Sequence, residues 1–348
     1  MQSFPTLEAV ASPGNLLVAH ANAKRGKTHY TAVKEFEERK TELLRTLSAT
    51  LKRGEYRTSE YRNKTIVDSG KLRLISKLPY FPDRIVHWAI MLQLESEFIS
   101  KFSDYSHAAI TNRGIHTALR QTCALVKKYP YCLKIDVRKY FPHIDHEILK
   151  DACRELTEDA ELLNLIFEII DSFPHGVPIG NYTSQYLANY YLSDFDFWLE
   201  SSGYEFCRYM DDICIYGNSS RELHALRVEI ESFLSDRLHL EIKKNWQVFP
   251  VSARGVDFVG YRVFPNRVIL RKSTHKMMRR RLSRVLRHLR EGTFTESDRS
   301  TLAAYAGWVK YCSRTARRTI FDKYFAPCLY LMGEDEHKFK SKIIWMLL

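Results

Sequence analysis

The stretch that most constrains this chain is Phe206 to Gly217, FCRYMDDICIYG. An apolar and aromatic run leads into the adjacent acids Asp211 and Asp212. The alternation Ile213, Cys214, Ile215, Tyr216 follows and stops at Gly217. Alternating apolar residues on both sides of a short polar break predict a β-hairpin with two carboxylates at its tip. Side-by-side carboxylates repel, so a cation belongs there, and a divalent metal ion suits oxygen ligands.

One acidic pair cannot hold two metal ions, so a third carboxylate is expected from elsewhere. Tyr131 to Phe141, YCLKIDVRKYF, supplies the candidate. Leu133 and Ile135 alternate with Lys134, and Asp136 stands where the strand pattern stops. A strand-end Asp beside an acidic hairpin is how two-metal phosphoryl-transfer sites are assembled, with the ions about 4 Å apart.

These two segments resemble motifs A and C of reverse transcriptases. Between them, Gly176 to Asp196, GVPIGNYTSQYLANYYLSDFD, resembles motif B. Most retroviral, intron and retron relatives have Gln before the glycine and Pro after the serine. Here those places hold Ile179 and Gln185. That variant resembles the reverse transcriptases of diversity-generating retroelements. The resemblance also takes in Arg73 to Arg84, Asn112 to Leu119 and Trp246 to Lys272, about residues 30 to 320 in all.

It implies an α+β right-hand polymerase fold, with fingers, a palm built on an antiparallel sheet, and a helical thumb. The expected division is 1–64, N-terminal helical extension; 65–130 and 146–182, fingers; 131–145 and 183–264, palm; 265–348, thumb and C-terminal tail. By resemblance, Asp136, Asp211 and Asp212 are catalytic. With Val137 they are the metal ligands, for two Mg²⁺ ions with Mn²⁺ as a substitute.

The same resemblance implies a dNTP site of Arg73, Lys77, Phe141, Ile179, Gly180 and Gln185. Arg73 and Lys77 belong to a hairpin, Thr65 to Ser76, expected to turn at Asp68-Ser69-Gly70. A planar guanidinium pairs with phosphate oxygens bidentately. Phe141 takes the steric-gate place beneath the sugar. Ile179 cannot offer the hydrogen bond of the usual Gln, which is a route to weakened discrimination. Arg113, Tyr209, Met210, Gly260 and Tyr261 fall where relatives touch primer or template. Lys243 or Lys244 falls near the motif D lysine.

Charge agrees with a polyanionic partner: Lys and Arg number 53 against 41 acids, a formal +12. From Phe258 through Arg290 there is no acidic residue. Within it Ser273–Arg290 reads as a helix, with Lys276, Arg280, Arg284 and Arg287 on one face and Met278, Leu282, Val285 and Leu289 on the other. The basic face suits a thumb helix tracking phosphates.

Seven cysteines without a C-x-x-C read as reduced core residues of a cytoplasmic protein, not as zinc ligands. No apolar run approaches the length of a membrane span. Other expected helices are 30–53, Arg84–Phe98, Ile115–Lys128, Thr183–Leu199, Arg221–Leu238, Leu302–Tyr311 and Arg314–Tyr330. Leu240–Phe249 reads as a strand. Residues 1–28 and the tail after Met332 give no clear pattern, and Arg208 has no assignable role.

The implied reaction is the copying of a template-repeat RNA into error-bearing, adenine-mutagenised cDNA for a variable gene. Its partners would be template RNA, the cDNA or primer, dNTPs and a basic oligomeric accessory variability determinant protein, with no membrane. The alternatives are an antiviral-defence, retron-like or group II intron-like reverse transcriptase, or an inactive RNA-binding scaffold.

Overall fold

The computed structural model describes residues 4–68, 71–333 and 336–348, without the side chains of Asp68, Lys71 and Arg73. Its centre is a four-stranded sheet of β3 (Tyr131–Asp136), β4 (Glu205–Tyr209), β5 (Asp212–Gly217) and β6 (Gln247–Pro250). The strand order is β4-β5-β3-β6, with every pair antiparallel. Two further strands, β1 (Arg62–Asp68) and β2 (Lys71–Lys77), form a ribbon earlier in the chain. The expected turn there, at Asp68-Ser69-Gly70, falls on Ser69 and Gly70, which lie outside the described residues.

Alternation along the central strands sorts side chains between two cores, because successive residues point to opposite faces. Leu133, Ile135, Phe206, Ile213 and Ile215 enter one core. Cys132, Cys207, Cys214 and Tyr216 enter the other. The first core holds the helices Ile85–Ser100, Tyr182–Tyr191 and Ser220–Leu238. The second holds a three-stranded sheet, β7 (Val256–Phe258), β8 (Tyr261–Phe264) and β9 (Arg267–Leu270), and the C-terminal helices. All seven cysteines are free thiols, and all but Cys123 are buried.

The N-terminal segment, which carries no clear sequence pattern, forms two short helices, Leu7–Ala11 and Pro13–Ala23. Thr6 caps the first through Ala9 N; Ser12 caps the second through Asn15 N, with Pro13 at its first turn. Asn15 then bonds the Ala89 carbonyl at 3.0 Å and Gln93 at 2.8 Å, tying the segment to Ile85–Ser100. The helix expected over 30–53 is two, Thr31–Glu38 and Lys40–Lys52, broken where Arg39 leaves helical angles (φ −117°, ψ 18°). Val33, Phe36, Leu44, Leu47 and Leu51 are buried as their spacing requires.

Other boundaries move for local reasons. The helix expected from Thr183 to Leu199 divides at Leu192 into Tyr182–Tyr191 and Ser193–Ser201. The strand expected over Leu240–Phe249 shortens to β6. Upstream of it, Ile242 makes only a single bridge to Val137, and a turn closes from Trp246 N to Lys243 O at 3.3 Å. Arg314–Tyr330 becomes Arg314–Ile320 and Ala326–Leu331 with a π-helical turn between. The basic helix runs Lys272–Arg290, and a last helix covers His337–Leu347. No helix of the described residues is long and apolar enough to cross a membrane.

Candidate active site

Strand register brings the acids together. Asp136 ends β3 directly opposite Asp212, which begins β5. Asp211 sits on the hairpin tip after Met210, whose φ is +57°. The tip is fastened to β3 by Val137 N donating to the Asp211 carbonyl at 3.1 Å. That bond sets Asp211 next to the end of β3, close enough for the charge of Asp136 to be felt at its carboxyl. Burial, and then the charge of Asp136, push the Asp211 carboxyl up to about 6.

Two lysines meet these acids. The Lys243 ammonium contacts the Asp136 carboxylate, and Lys243 N donates to the Asp136 carbonyl at 2.8 Å. Lys243, not Lys244, is therefore the motif D candidate at the site. Lys134 lies 3.0 Å from Asp212 Oδ1 and also donates to the Asp257 carbonyl of β7. Burial pushes the Asp212 carboxyl up while Lys134 opposes the rise.

The expected metal ligands sit in unlike surroundings. Among the described residues no three His, Cys, Asp or Glu side chains converge to hold a metal ion. Asp212 is engaged by Lys134, and the Val137 side chain is buried in the first core, leaving only its backbone as a donor. The charge of Asp136 is felt at both Asp211 and Asp212. These acids fit a divalent cation, since the burial and mutual repulsion that raise Asp211 are what a cation offsets.

Arg208 was missed by sequence reasoning. It is fully buried on β4, and its Nη2 lies 2.5 Å from Oδ2 of the equally buried Asp196. Its Nη1 reaches Asn189 Oδ1 at 3.1 Å and the Met210 carbonyl at 3.3 Å, bracing the hairpin that carries Asp211. Burial pushes Asp196 up to about 6, with Arg208 pulling the other way. The available signal was an arginine inside an apolar strand with an acid at the inner face of a nearby helix.

The motif B loop touches two other elements. Val177 N donates to the Phe141 carbonyl at 2.9 Å, and Gly176 (φ +65°) presses against the backbone of Phe141 and Pro142. The Phe141 ring is half-buried, edge-on to Tyr140 at 5.7 Å. Ser76 N donates to the Ile179 carbonyl at 3.1 Å, so the loop is tied to β2. A Cβ on Gly180 would stand 2.8 Å from the Ser76 carbonyl oxygen. Lys77 and Gly180 line one cavity, and Gln185 is exposed on the following helix. Arg73 pairs with Ile66 in the ribbon, and its side chain lies outside the described residues.

The nucleic-acid candidates divide. Lys276, Arg280, Arg284 and Arg287 are all exposed on one helix whose Met278, Leu282 and Val285 are buried. Tyr209 and Met210 are half-buried beside the acids. Arg113 is turned inward instead. It holds the Ser103 and Ser106 carbonyls and the Asp104 carboxylate at 2.7 Å, bracing a loop rather than presenting a free cation. Gly260 was expected to let primer backbone approach, but the Trp308 ring fills that space. Tyr261 is wholly buried, its hydroxyl donating to the Trp308 carbonyl at 2.9 Å, so its side chain faces core and not primer.

Residues 61–263 match the family described as reverse transcriptase (RNA-dependent DNA polymerase). The chain is 31% identical over 102 residues to nuclear intron maturase 1, mitochondrial, of Arabidopsis thaliana, covering 29% of this chain and 14% of that protein. It is 27% identical over 167 residues to the group II intron-encoded protein LtrA of Lactococcus lactis subsp. cremoris, covering 44% of this chain and 28% of that one. It thus spans less than a third of the length of these curated relatives. The telomerase of Candida albicans, solved with a TWJ fragment of telomeric RNA, superposes with a TM-score of 0.50 at 12% identity, over 85% of this chain and 61% of that one. The telomerase of Candida tropicalis gives 0.51 at 14%, over 83% and 57%. At such identities the likeness shows the fold alone, which is the right-hand polymerase arrangement.

Proposed function

Because the chain belongs to the reverse transcriptase (RNA-dependent DNA polymerase) family, its match covering residues 61–263, we propose that it copies RNA into DNA. The observation that carries this reading is the meeting of Asp136 with Asp211 and Asp212 where β3 pairs with the β4–β5 hairpin. In the proposed reaction the 3′-oxygen of a primer bonds to the α-phosphorus of a dNTP. The bond to the β-phosphate oxygen breaks, and pyrophosphate leaves. Asp136 and Asp211 would hold divalent metal, Mg²⁺ by family resemblance, which when bound lowers the pKa of the attacking hydroxyl and neutralises the leaving group. Lys243 Nζ, resting on Asp136, keeps a proton donor at the edge of the same site. Lys134 holds Asp212 in place, and Arg208 holds the hairpin through the Met210 carbonyl.

For the subtype, the relatives favour an intron-type enzyme, since the curated matches include LtrA and plant intron maturases. A second reading rests on one local observation. Ile179 and Gln185 stand where intron-type enzymes carry Gln and Pro, and that variant supports a diversity-generating retroelement enzyme with adenine-directed errors and a basic accessory protein.

Two experiments separate these claims. Mg²⁺-dependent dNTP incorporation on a primed RNA tests the polymerase, and Asp211→Asn should abolish it; undiminished activity in that variant would overturn the site assignment. Sequencing the cDNA made on a defined RNA tests the subtype. Errors concentrated at template adenines support the retroelement reading, and evenly spread errors support the intron-type one.

A further inference from the structure

A line of ion pairs and hydrogen bonds leaves the hairpin acids and ends at the start of the basic helix Lys272–Arg290. Period-two alternation sets Lys134 on the same face of β3 as Cys132 and Asp136. On that face the Lys134 ammonium lies over the Phe258 ring of β7, 5.6 Å from its centroid. It meets both oxygens of Asp212, Oδ1 at 3.0 Å and Oδ2 at 3.3 Å, and donates to the Asp257 carbonyl. Among the described residues no other side chain bonds the Asp212 carboxylate.

Asp257 serves two neighbours at once. Val256 and Phe258 on either side of it are buried in the second core, so its side chain stands on the opposite face of β7. There Oδ1 accepts from Arg271 Nε, and Arg262, its cross-strand partner on β8, lies 3.8 Å from Oδ2. The main chain of Asp257 thus holds Lys134 while its carboxylate holds Arg271. Both bonds have a charged donor, the kind that is short and geometrically exacting.

Arg271 is the residue from which the basic helix starts. Its amide donates to the Gly260 carbonyl at 2.9 Å, and its carbonyl accepts from His275 N at 2.9 Å, closing the first turn. The side chains of Asp212, Lys134, Asp257 and Arg271 are between 22% and 34% exposed, so solvent ions screen their pairing only in part. The charge of Arg271 is also felt at the Asp212 carboxyl, against the rise that burial causes.

We infer that Asp257 and Arg271 are positioning residues for the hairpin. They fix the Lys134 ammonium, and through it the Asp212 carboxylate, to the point where the basic helix begins. Neither needs to touch substrate to act. Their effect on rate rests on the polymerase reading; their hold on the hairpin does not.

The test uses the full chain as Arg271→Gln, Arg271→Lys, Lys134→Met and the double variant K134M/R271Q. On a primed RNA with saturating dNTP and Mg²⁺, Arg271→Gln should lower kcat roughly tenfold, the scale of one hydrogen bond to a charged group. KM for dNTP and primer–template affinity should hold, and Arg271→Lys should restore most of the rate. The double variant should be no slower than Lys134→Met alone, since both changes cut the same line. Without metal or nucleic acid, amide hydrogen exchange across residues 209–213 should quicken in Arg271→Gln. Unchanged exchange there in the folded variant overturns the inference, as does a double variant whose rate losses multiply. A fall in primer–template affinity with kcat intact also overturns it, making Arg271 a plain phosphate contact. If circular dichroism shows Arg271→Gln unfolded, Asp257→Asn is read in its place, because it weakens the Arg271 bond and keeps the carbonyl that holds Lys134. A wild type that makes no DNA while exchange responds would sink the polymerase reading and leave this line of contacts standing.

Discussion

Arg208 and Asp196 form an ion pair from which solvent is wholly excluded, with Nη2 and Oδ2 2.5 Å apart. The pair joins β4 to the helix Ser193–Ser201, and Arg208 continues to the Met210 carbonyl beside Asp211. Removing one partner of such a pair leaves a buried charge with nothing to meet it, at about 3–5 kcal/mol. Asp196→Asn is therefore expected to lower the urea midpoint sharply. The double variant Asp196→Leu with Arg208→Leu should cost less than either single change. A double variant whose loss equals the sum of the two singles would show that the pair does not act as a unit.

His87 makes stability pH-dependent. Burial drives its pKa down to about 4 against an ordinary value near 6.5, although Asp83 pulls it upward. The unfolded chain then takes up this proton more readily than the folded one. The contribution is fully present above about pH 6.5 and is lost as pH falls toward 4. At its limit it amounts to about 3 kcal/mol. Urea midpoints measured from pH 7.5 down to pH 4.5 should fall, and His87→Gln should flatten that fall. Parallel curves for the two proteins would remove His87 from the account.

Much of the site was readable because it depends on local pattern. The alternation Leu133, Lys134, Ile135 ends at Asp136, and the pair Asp211-Asp212 interrupts apolar runs, so two strand ends could be placed together. The helix Lys272–Arg290 was visible from its 3.6-residue period alone. What escaped depends on partners distant in the chain. Tyr261 looks like a primer contact until Trp308 covers it, and Arg113 looks like a free cation until the loop 103–106 closes on it. Lys134 and Lys243 look like surface charges in sequence; only the sheet register and the turn before β6 set them on Asp212 and Asp136. The break at Arg39 leaves no trace in a pattern that keeps its apolar face on both sides.

Gly176 allows a clean separation of backbone strain from steric clash. Its φ is +65°, and an added Cβ would stand 2.7 Å from Pro142 Cα and would also meet the Phe141 carbonyl. Gly203 has a similar φ of +81° with nothing within 4 Å of such a Cβ. Gly203→Ala should cost only the left-handed conformation, about 1–2 kcal/mol. Gly176→Ala should cost about 1–3 kcal/mol more, because backbone must move to admit the methyl group. Melting temperatures of the two variants give the comparison. Equal losses would mean that the loop beside Phe141 is free to shift.

Ile179 offers the sharpest functional test. Its carbonyl accepts from Ser76 N, while its side chain is half-exposed and makes no hydrogen bond by its nature. A Gln there can add a donor and an acceptor without disturbing that backbone bond. One net hydrogen bond contributes about 1 kcal/mol, roughly a fivefold change in discrimination. Ile179→Gln is therefore expected to lower misincorporation about fivefold on a defined RNA, with overall synthesis kept. If the wild-type errors fall at template adenines and the variant removes them there, the missing polar group accounts for the bias. An error spectrum identical in the two proteins would take Ile179 out of base selection and leave the intron-type relatives as the better guide.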